Sequence, residues 1–273
     1  MIDLHSHVLY GLDDGARDVD ASLAILRAMM EDGVQIVCCT PHVRDDYPTT
    51  ATAMENALAS LRSAVAREGL AIEVRGGGEI AIDRLSLLAD EERVRFGLGG
   101  NPSLLLIESP YTIWPADFPR VCAWLRHEGV VPVVAHPERN PLVQEDPSWL
   151  EDIVRAGAFV QLTAGSVDGT LGRLAAACSR RLLGMELAHL IASDAHGPGV
   201  REAGISAARD AVGGELGEWL TELVPAALLE GADLPPRPSR RRRRGQAGRL
   251  RGLGRGRGRS GDRALRLWGN RGQ

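Results

Sequence analysis

Histidine and carboxylate residues recur at, or just beyond, the ends of successive apolar runs, and this placement constrains the chain more than any other feature. They are His5, His7, Asp14, His42, Glu79, Glu108, His136, Asp194 and His196. Imidazole nitrogens and carboxylate oxygens of this kind suit zinc, manganese or iron. Nine such groups are too many for one ion and about right for two or three. Ligands drawn from many strand ends meet most readily on the C-terminal face of a β/α barrel, where each strand delivers residues to one mouth. The first expectation is a multinuclear metallohydrolase.

The elements between these residues alternate. Ile2–His5, Val34–Thr40, Ala71–Arg75, Leu104–Ile107, Val130–Ala135, Phe159–Leu162 and Leu190–Ser193 read as strands. Their continuous apolar character fits strands buried on both faces, as in parallel sheets. Asp20–Asp32, Thr50–Glu68, Phe118–Glu128, Pro147–Ala156, Leu171–Leu183, Val200–Val212 and Leu216–Leu229 read as helices, with Gly33 and Gly69 as left-handed stops. Strand and helix in turn predict an α/β fold, a closed or nearly closed parallel barrel of seven units. A doubly wound open sheet is the alternative, but it would not gather ligands from so many strand ends.

Each ligand candidate has an ordinary reading beside the functional one. His5-x-His7 puts two imidazoles on one side of a strand, because alternate residues share a face, yet such a pair also arises by chance. Asp13-Asp14-Gly15 reads equally well as a polar turn. His42 follows Pro41, and Glu79 follows Gly76-Gly77-Gly78, which lets the backbone approach something closely. Glu108 ends Leu104–Ile107, where an unpaired carboxylate is costly without a cation. His136 and the Asp194-Ala195-His196 pair end their own runs in the same relation. Recurrence at five or six strand ends outweighs the ordinary readings taken singly. His127 and His189 fall within or before elements and read as surface or core histidines.

The net charge of −4 conceals a division. Residues 1–236 carry 18 Arg against 35 acidic residues, a balance of −17. Residues 237–273 carry 14 Arg against the single acid Asp262, a balance of +13. The expected domain therefore spans 1–235, and 236–273 form an Arg/Gly-rich tail with too little apolar surface to order. The opening residues have neither the basic nor the apolar region of a secretory signal. No apolar run approaches the roughly 20 residues that cross a bilayer. Cytoplasm is the expected compartment, with no transmembrane segment. The four cysteines lack metal or redox spacing.

Cys38-Cys39-Thr40-Pro41-His42-Val43-Arg44 satisfies C-x5-R, the pattern of cysteine-dependent tyrosine phosphatases. That mechanism needs backbone N–H groups converging on phosphate. This segment has no Gly and places Pro41, which lacks an N–H, in the middle. Cys38 sits in an apolar run, where burial raises a thiol pKa rather than activating it. Cys38 is read as core.

In order, spacing and sequence, His5-Ser6-His7-Val8, Asp13-Asp14-Gly15, Thr40-Pro41-His42, Gly78-Glu79-Ile80, Glu108, His136-Pro137-Glu138-Arg139-Asn140 and Ser193-Asp194-Ala195-His196 resemble the PHP (polymerase and histidinol phosphatase) superfamily. Within it they resemble the bacterial tyrosine-protein phosphatases of capsule and exopolysaccharide loci, the CpsB/CapC kind. The resemblance spans about residues 1–235. It implies a distorted (β/α)7 barrel with a trinuclear site, generally of manganese, with iron or zinc as alternatives. It places His5, His7, Glu79 and Asp194 on one ion, with Glu79 bridging to a second held by Glu108 and His136. Asp14, His42 and His196 take the third. Arg139 and Arg201 match the phosphate-binding arginines. The implied reaction is attack of metal-held hydroxide on phosphotyrosine, with His136, Arg139 and Arg201 at the reacting centre. The implied partner is a phosphotyrosine protein, an autophosphorylating bacterial tyrosine kinase of polysaccharide export. Tyr10, Tyr47, Tyr111 and Trp114 fall in loops near the mouth, where a ring can stack on the substrate's phenyl group.

Two other readings stand beside this one. A PHP phosphatase with the same ligands can act on a small phosphomonoester such as histidinol phosphate or a nucleotide. In a different class, the Arg/Gly tail makes the chain a weak polyanion binder, for nucleic acid or a membrane surface.

Overall fold

Strands form where β-branched and apolar residues run on, and two of them are interrupted at Thr40-Pro41 and at Gly77-Gly78. A computed structural model describes residues 1–197 and 201–238. Its strands are β1 (Ile2–Ser6), β2 (Ile36–Cys39), β3 (His42–Arg44), β4 (Tyr47–Pro48), β5 (Glu73–Gly76), β6 (Glu79–Ala81), β7 (Leu104–Glu108), β8 (Val131–Ala135), β9 (Phe159–Thr163) and β10 (Leu190–Ala192). They pair in the orders β1-β2-β5 and β10-β9-β8-β7-β6-β3-β4. Every pairing is parallel except β3 with β4. The result is a mixed α/β fold on parallel strands.

The two sets share chain segments. β2 leads into β3 across Thr40 and Pro41, and β5 leads into β6 across Gly77 and Gly78. Pro41 cannot donate to a ladder, but its carbonyl still accepts from Glu79 N–H at 3.1 Å. A Cβ on Gly78 would stand 2.6 Å from the Phe96 ring, and one on Gly76 2.8 Å from Leu58. The close approach expected of this glycine run is therefore made to core side chains. The first and last parallel strands also meet. His7 N–H donates to Ala195 O (2.9 Å), Asp194 N–H to His5 O (2.9 Å), and Ser6 bridges Ala195 in parallel.

Helices cover the strands much as the periodicity predicts. Val19–Glu31 starts at Asp18, whose carboxylate accepts from Ala21 N–H, and Ala51–Glu68 starts at Thr50 and stops at Gly69, φ 63°. Phe118–His127, Trp149–Arg155 and Arg173–Gly184 follow. Gly214–Glu218, the π turn Trp219–Leu223 and Val224–Glu230 run on in succession. Pro225 explains the π turn, since its missing N–H and its ring displace the regular ladder one turn earlier. Among the described residues no helix is long and apolar enough to cross a membrane.

Two expectations need correction, and a third falls largely outside the described residues. The helix expected over Val200–Val212 begins only at Ser206, and Val200 lies outside the described residues. Gly204 (φ +118°) turns the chain hard against Asp32, and the Asp32 carboxylate accepts from the N–H groups of Ile205 (2.6 Å) and Ser206 (2.9 Å). Helical backbone starts only after that anchor. The strand expected over Val34–Thr40 is cut to four residues, with β3 beyond it. The tail expected over 236–273 lies outside the described residues from Ser239 on, and Arg237 packs on the body. Its Nη1 donates to Ala188 O at 2.5 Å and its guanidinium lies over Trp219.

Asp32 thus ties the end of the first helix to a segment far along the chain. Asp32→Ala should cost about 1–2 kcal/mol of stability, the range for losing a helix-start acceptor. Urea unfolding of full-length protein checks it.

Candidate metal centre

The strand ends deliver their side chains to one place. His5 lies in β1 and His7 just beyond it, His42 opens β3, Glu79 opens β6, and Glu108 closes β7. His136 follows β8, and Asp194 and His196 follow β10. Asp14 arrives from the loop after β1. Four sets of donor atoms lie within 4.8 Å of one another: His5, His7 and Asp194; His5, Glu79 and His136; His42, Glu79 and Glu108; and His7, Asp14, His42 and His196. All nine sequence candidates are in this cluster. All are buried except Asp14. His127 is exposed and His189 packs on Phe159, both away from the cluster.

Hydrogen bonds behind the rings fix which nitrogen faces inward. Gln161 Oε1 accepts from His136 N–H at 3.2 Å, so this oxygen also faces His5 Nδ1, 3.0 Å away. Asp13 Oδ2 lies 2.7 Å from His7 Nδ1. A proton on each Nδ1 leaves neutral His5 and His7 with their Nε2 lone pairs turned inward, and the two Nε2 atoms are 3.2 Å apart. Two lone pairs at that distance repel unless a cation or a proton lies between them. Glu79 Oε2 lies 2.9 Å from His42 Nδ1 and 3.3 Å from both His5 Nε2 and His7 Nε2, and His42 Nε2 is 3.4 Å from Asp14 Oδ1, ion-pair contacts that lack hydrogen-bond geometry, while Glu108 Oε1 has no hydrogen-bond partner. Buried polar atoms without well-formed hydrogen bonds are costly. The donor set, nitrogen and carboxylate oxygen with oriented imidazoles, fits divalent transition metals.

The electrostatics say the same. Burial pulls His42 down, but Glu79 and Asp14 overcome it and hold the imidazole at about 9. Burial also opposes protonation of His7, yet Asp13, Asp194 and Glu79 raise it well above the usual imidazole range. Glu108 is pushed up to about 7 by burial and by the neighbouring Glu79 charge. His136 is lowered to about 4 by burial and by Arg139. The adjacent His196 and His42 imidazoles depress Asp14. The carboxylates demand positive charge, and protonated imidazoles or metal ions both answer that demand.

Arg139 and Arg201 border the cluster at one carboxylate. Arg139 Nη1 donates to Asp194 Oδ2 at 2.6 Å, and Arg201 Nε lies 3.1 Å from the same oxygen. Arg201 also touches His196 and donates to the Asp194 carbonyl. Three supporting groups escaped the sequence reading as site residues: Asp13, Gln161 and Arg44, whose Nη1 donates to Glu108 Oε2 at 3.3 Å. Gln161 had a signal, a polar residue inside the apolar run of β9. So did Asp3 in β1, which accepts from Ser193 N–H (3.0 Å) and is raised to about 6 by burial. Cys38 is fully buried in β2, and burial puts its thiol well above the ordinary range, as a core residue requires.

An α/β fold with a buried histidine–carboxylate nest at its parallel strand ends defines a candidate metal-binding protein. Residues 1–226 match the family model for capsular polysaccharide synthesis, CpsB/CapC, and the chain belongs to that family. It is similar to the tyrosine-protein phosphatase YwqE of Bacillus subtilis, 33% identical over 254 residues that cover 89% of this chain and 98% of that one. It is also similar to the tyrosine-protein phosphatase CpsB of Streptococcus agalactiae, 24% identical, covering 74% and 85% of the two chains. A solved structure from work on YwqE of B. subtilis and CpsB of Streptococcus pneumoniae, described as unique metal-dependent tyrosine phosphatases, superposes with a TM-score of 0.78. Identity there is 33%, with 88% of this chain and 100% of that chain covered.

Two outcomes follow from the geometry. Asp13→Ala removes the partner that orients His7 and should weaken metal affinity about 10–100-fold, read by chelator competition. Metal must also displace protons from His42 (about 9) and Glu108 (about 7). Apparent affinity should therefore rise with pH, about tenfold per unit between 7 and 9 where one proton is displaced. A titration flat across that window would remove His42 from the ligand set.

Proposed function

We propose that this protein is a metal-dependent phosphomonoesterase acting on phosphotyrosine in proteins, with a bacterial tyrosine autokinase of polysaccharide export as its partner and the cytoplasm as its compartment. The observation that carries the reading is the buried nest of oriented imidazoles and carboxylates, in a chain whose relatives bear the name tyrosine-protein phosphatase. The fold is read as a distorted (β/α)7 barrel. Support comes from the hydrogen bonds joining the β10 end to β1 and from the strand breaks that split two of seven ribbons.

His5, His7, Glu79 and Asp194 would hold one ion, with Glu79 leading to a second at Glu108 and His136. Asp14, His42 and His196 would hold the third. Manganese is the first choice, with iron or zinc as alternatives. When bound, such ions neutralise phosphoryl oxygens and lower the pKa of coordinated water towards about 7. The chain's own residues do the rest. Arg139 and Arg201, with side chains 20% and 15% exposed, stand where guanidinium forks can take the phosphate's outer oxygens. Arg44 pairs with Glu108 at 3.3 Å and shares the Tyr111 ring with Arg139.

A turnover panel of phosphotyrosyl peptide, histidinol phosphate and nucleotide monophosphates, with and without chelator, tests the reading. Phosphotyrosyl peptide should lead and chelator should abolish it. Preference for either small phosphomonoester would shift the substrate class, and full activity in metal-free protein would end the proposal. His136→Ala should cut turnover by orders of magnitude, while Cys38→Ser leaves it nearly intact. Arg139→Ala or Arg201→Ala should each cost about one to two decades in rate, the loss of one charge-assisted bond. Lys should rescue only in part. The domain is proposed to end near residue 235. Because Arg237 packs on the body, the truncation that tests it ends at Pro238. It should keep full turnover and lose affinity for polyanions.

A further inference from the structure

Of the four aromatic residues that the sequence places near the mouth, the structure leaves one exposed to a substrate. Tyr47 is stacked on His42, with ring centroids 5.7 Å apart and planes 18° apart. Trp114 is buried against Phe118, and Tyr10 packs on the core. Tyr111 is 45% exposed and stands on the loop that follows Glu108, the last residue of β7.

Its position is fixed from three sides. Arg44 Nη1 donates to Tyr111 Oη at 3.2 Å, and the Arg44 guanidinium carbon is 5.6 Å from the Tyr111 ring centroid. The Arg139 guanidinium carbon is 5.9 Å from the same centroid. Asn140 Nδ2 clamps the loop by donating to Pro110 O (2.8 Å) and Ile113 O (3.0 Å). Arg44 is itself held, with Nε and Nη2 on the Asp46 carboxylate (2.7 and 3.1 Å) and Nη1 on Glu108. An exposed tyrosine held this firmly loses little freedom when a second ring packs against it.

We infer that Tyr111, braced by Arg44 and Arg139, seats the phenyl ring of an aryl phosphate and so favours phosphotyrosine over alkyl phosphomonoesters. The inference rests on the proposed phosphatase reading. A phosphate gripped by Arg139 carries its ester oxygen and ring outwards to the mouth, where the Tyr111 ring already lies beside that guanidinium. Aromatic pairs prefer offset or edge-to-face contact at centroid separations of about 4.5–7 Å, and an exposed, anchored ring can offer either. A substrate with an alkyl leaving group finds the same arginines but no ring partner.

Tyr111→Leu and Tyr111→Phe, in full-length metal-loaded protein, separate ring from hydroxyl. Phenylphosphonate and methylphosphonate binding is measured by calorimetry, alongside turnover of a phosphotyrosyl peptide. Tyr111→Leu should weaken phenylphosphonate about two- to tenfold, leave methylphosphonate unchanged, and raise the peptide's KM with kcat held. Tyr111→Phe keeps the ring but loses the Arg44 bond that anchors it, so on phenylphosphonate it should fall between wild type and Tyr111→Leu, with methylphosphonate again unchanged. Equal weakening of both phosphonates by Tyr111→Leu, or no change in either, overturns the aryl seat while wild-type turnover upholds the phosphatase reading. Wild-type protein that turns over no phosphomonoester overturns both.

Discussion

Everything at the mouth of this fold depends on buried negative charge. Glu79, Glu108 and Asp194 are each at most 3% exposed, and isolated carboxylates cannot be buried at that depth without a compensating cation. The fold answers with imidazoles and guanidiniums packed around them. His5, His7 and His136 ring Glu79, while Arg139 and Arg201 reach Asp194 and Arg44 reaches Glu108. The arrangement packs nitrogen and carboxylate ligand atoms into four overlapping sets within 4.8 Å of one another, the density a metal centre requires.

Backbone strain collects at the same place. Four non-glycine residues among those described have left-handed backbone: His136 (φ 30°), Glu186 (63°), Asp194 (54°) and Arg201 (39°). Three of them carry side chains of the candidate site. Such conformations cost of order 1–3 kcal/mol each, and His136 adds the restriction of preceding Pro137. The geometric reason is visible in the strand ends. A residue that has just left β8 or β10 must send its side chain back across the mouth while the main chain turns outwards to a helix. The surrounding bonds hold these bends in place. Gln161 takes the His136 N–H, and the Asp194 N–H pairs with His5 O.

Much of this was legible because charge at the end of an apolar run is improbable without a purpose. His5, Glu108 and His136 announce themselves by interrupting or ending Leu and Val runs, and alternation of strand with helix announces parallel strands. Other features were not legible, for physical reasons. β3, β4 and β6 span two or three residues each, too short to show any period, and β3 and β6 follow a proline and a glycine run that read as breaks. The late start of Ser206–Val212 depends on Asp32, a residue far away in sequence. Arg44 looked like the end of a C-x5-R motif. Its partners Glu108 and Tyr111 lie on another strand end, and only the fold brings them within reach.

Asp194 shows why the order of motifs along the chain matters. Its carboxylate is shared by His5 and His7 on the inner side and by Arg139 and Arg201 on the outer side. One group therefore sets both where a cation can sit and how far away the two guanidiniums stand. Arg139 ends the short turn Pro137–Arg139 that follows β8 and His136, and Arg201 donates to the Asp194 carbonyl and contacts His196. A guanidinium held by such bonds is a pre-organised planar fork of donors and not a roaming charge. β8 and β10, the strands that lead to Arg139 and to Asp194, flank β9 in one sheet, and that order is what brings the Arg139 guanidinium onto the Asp194 carboxylate.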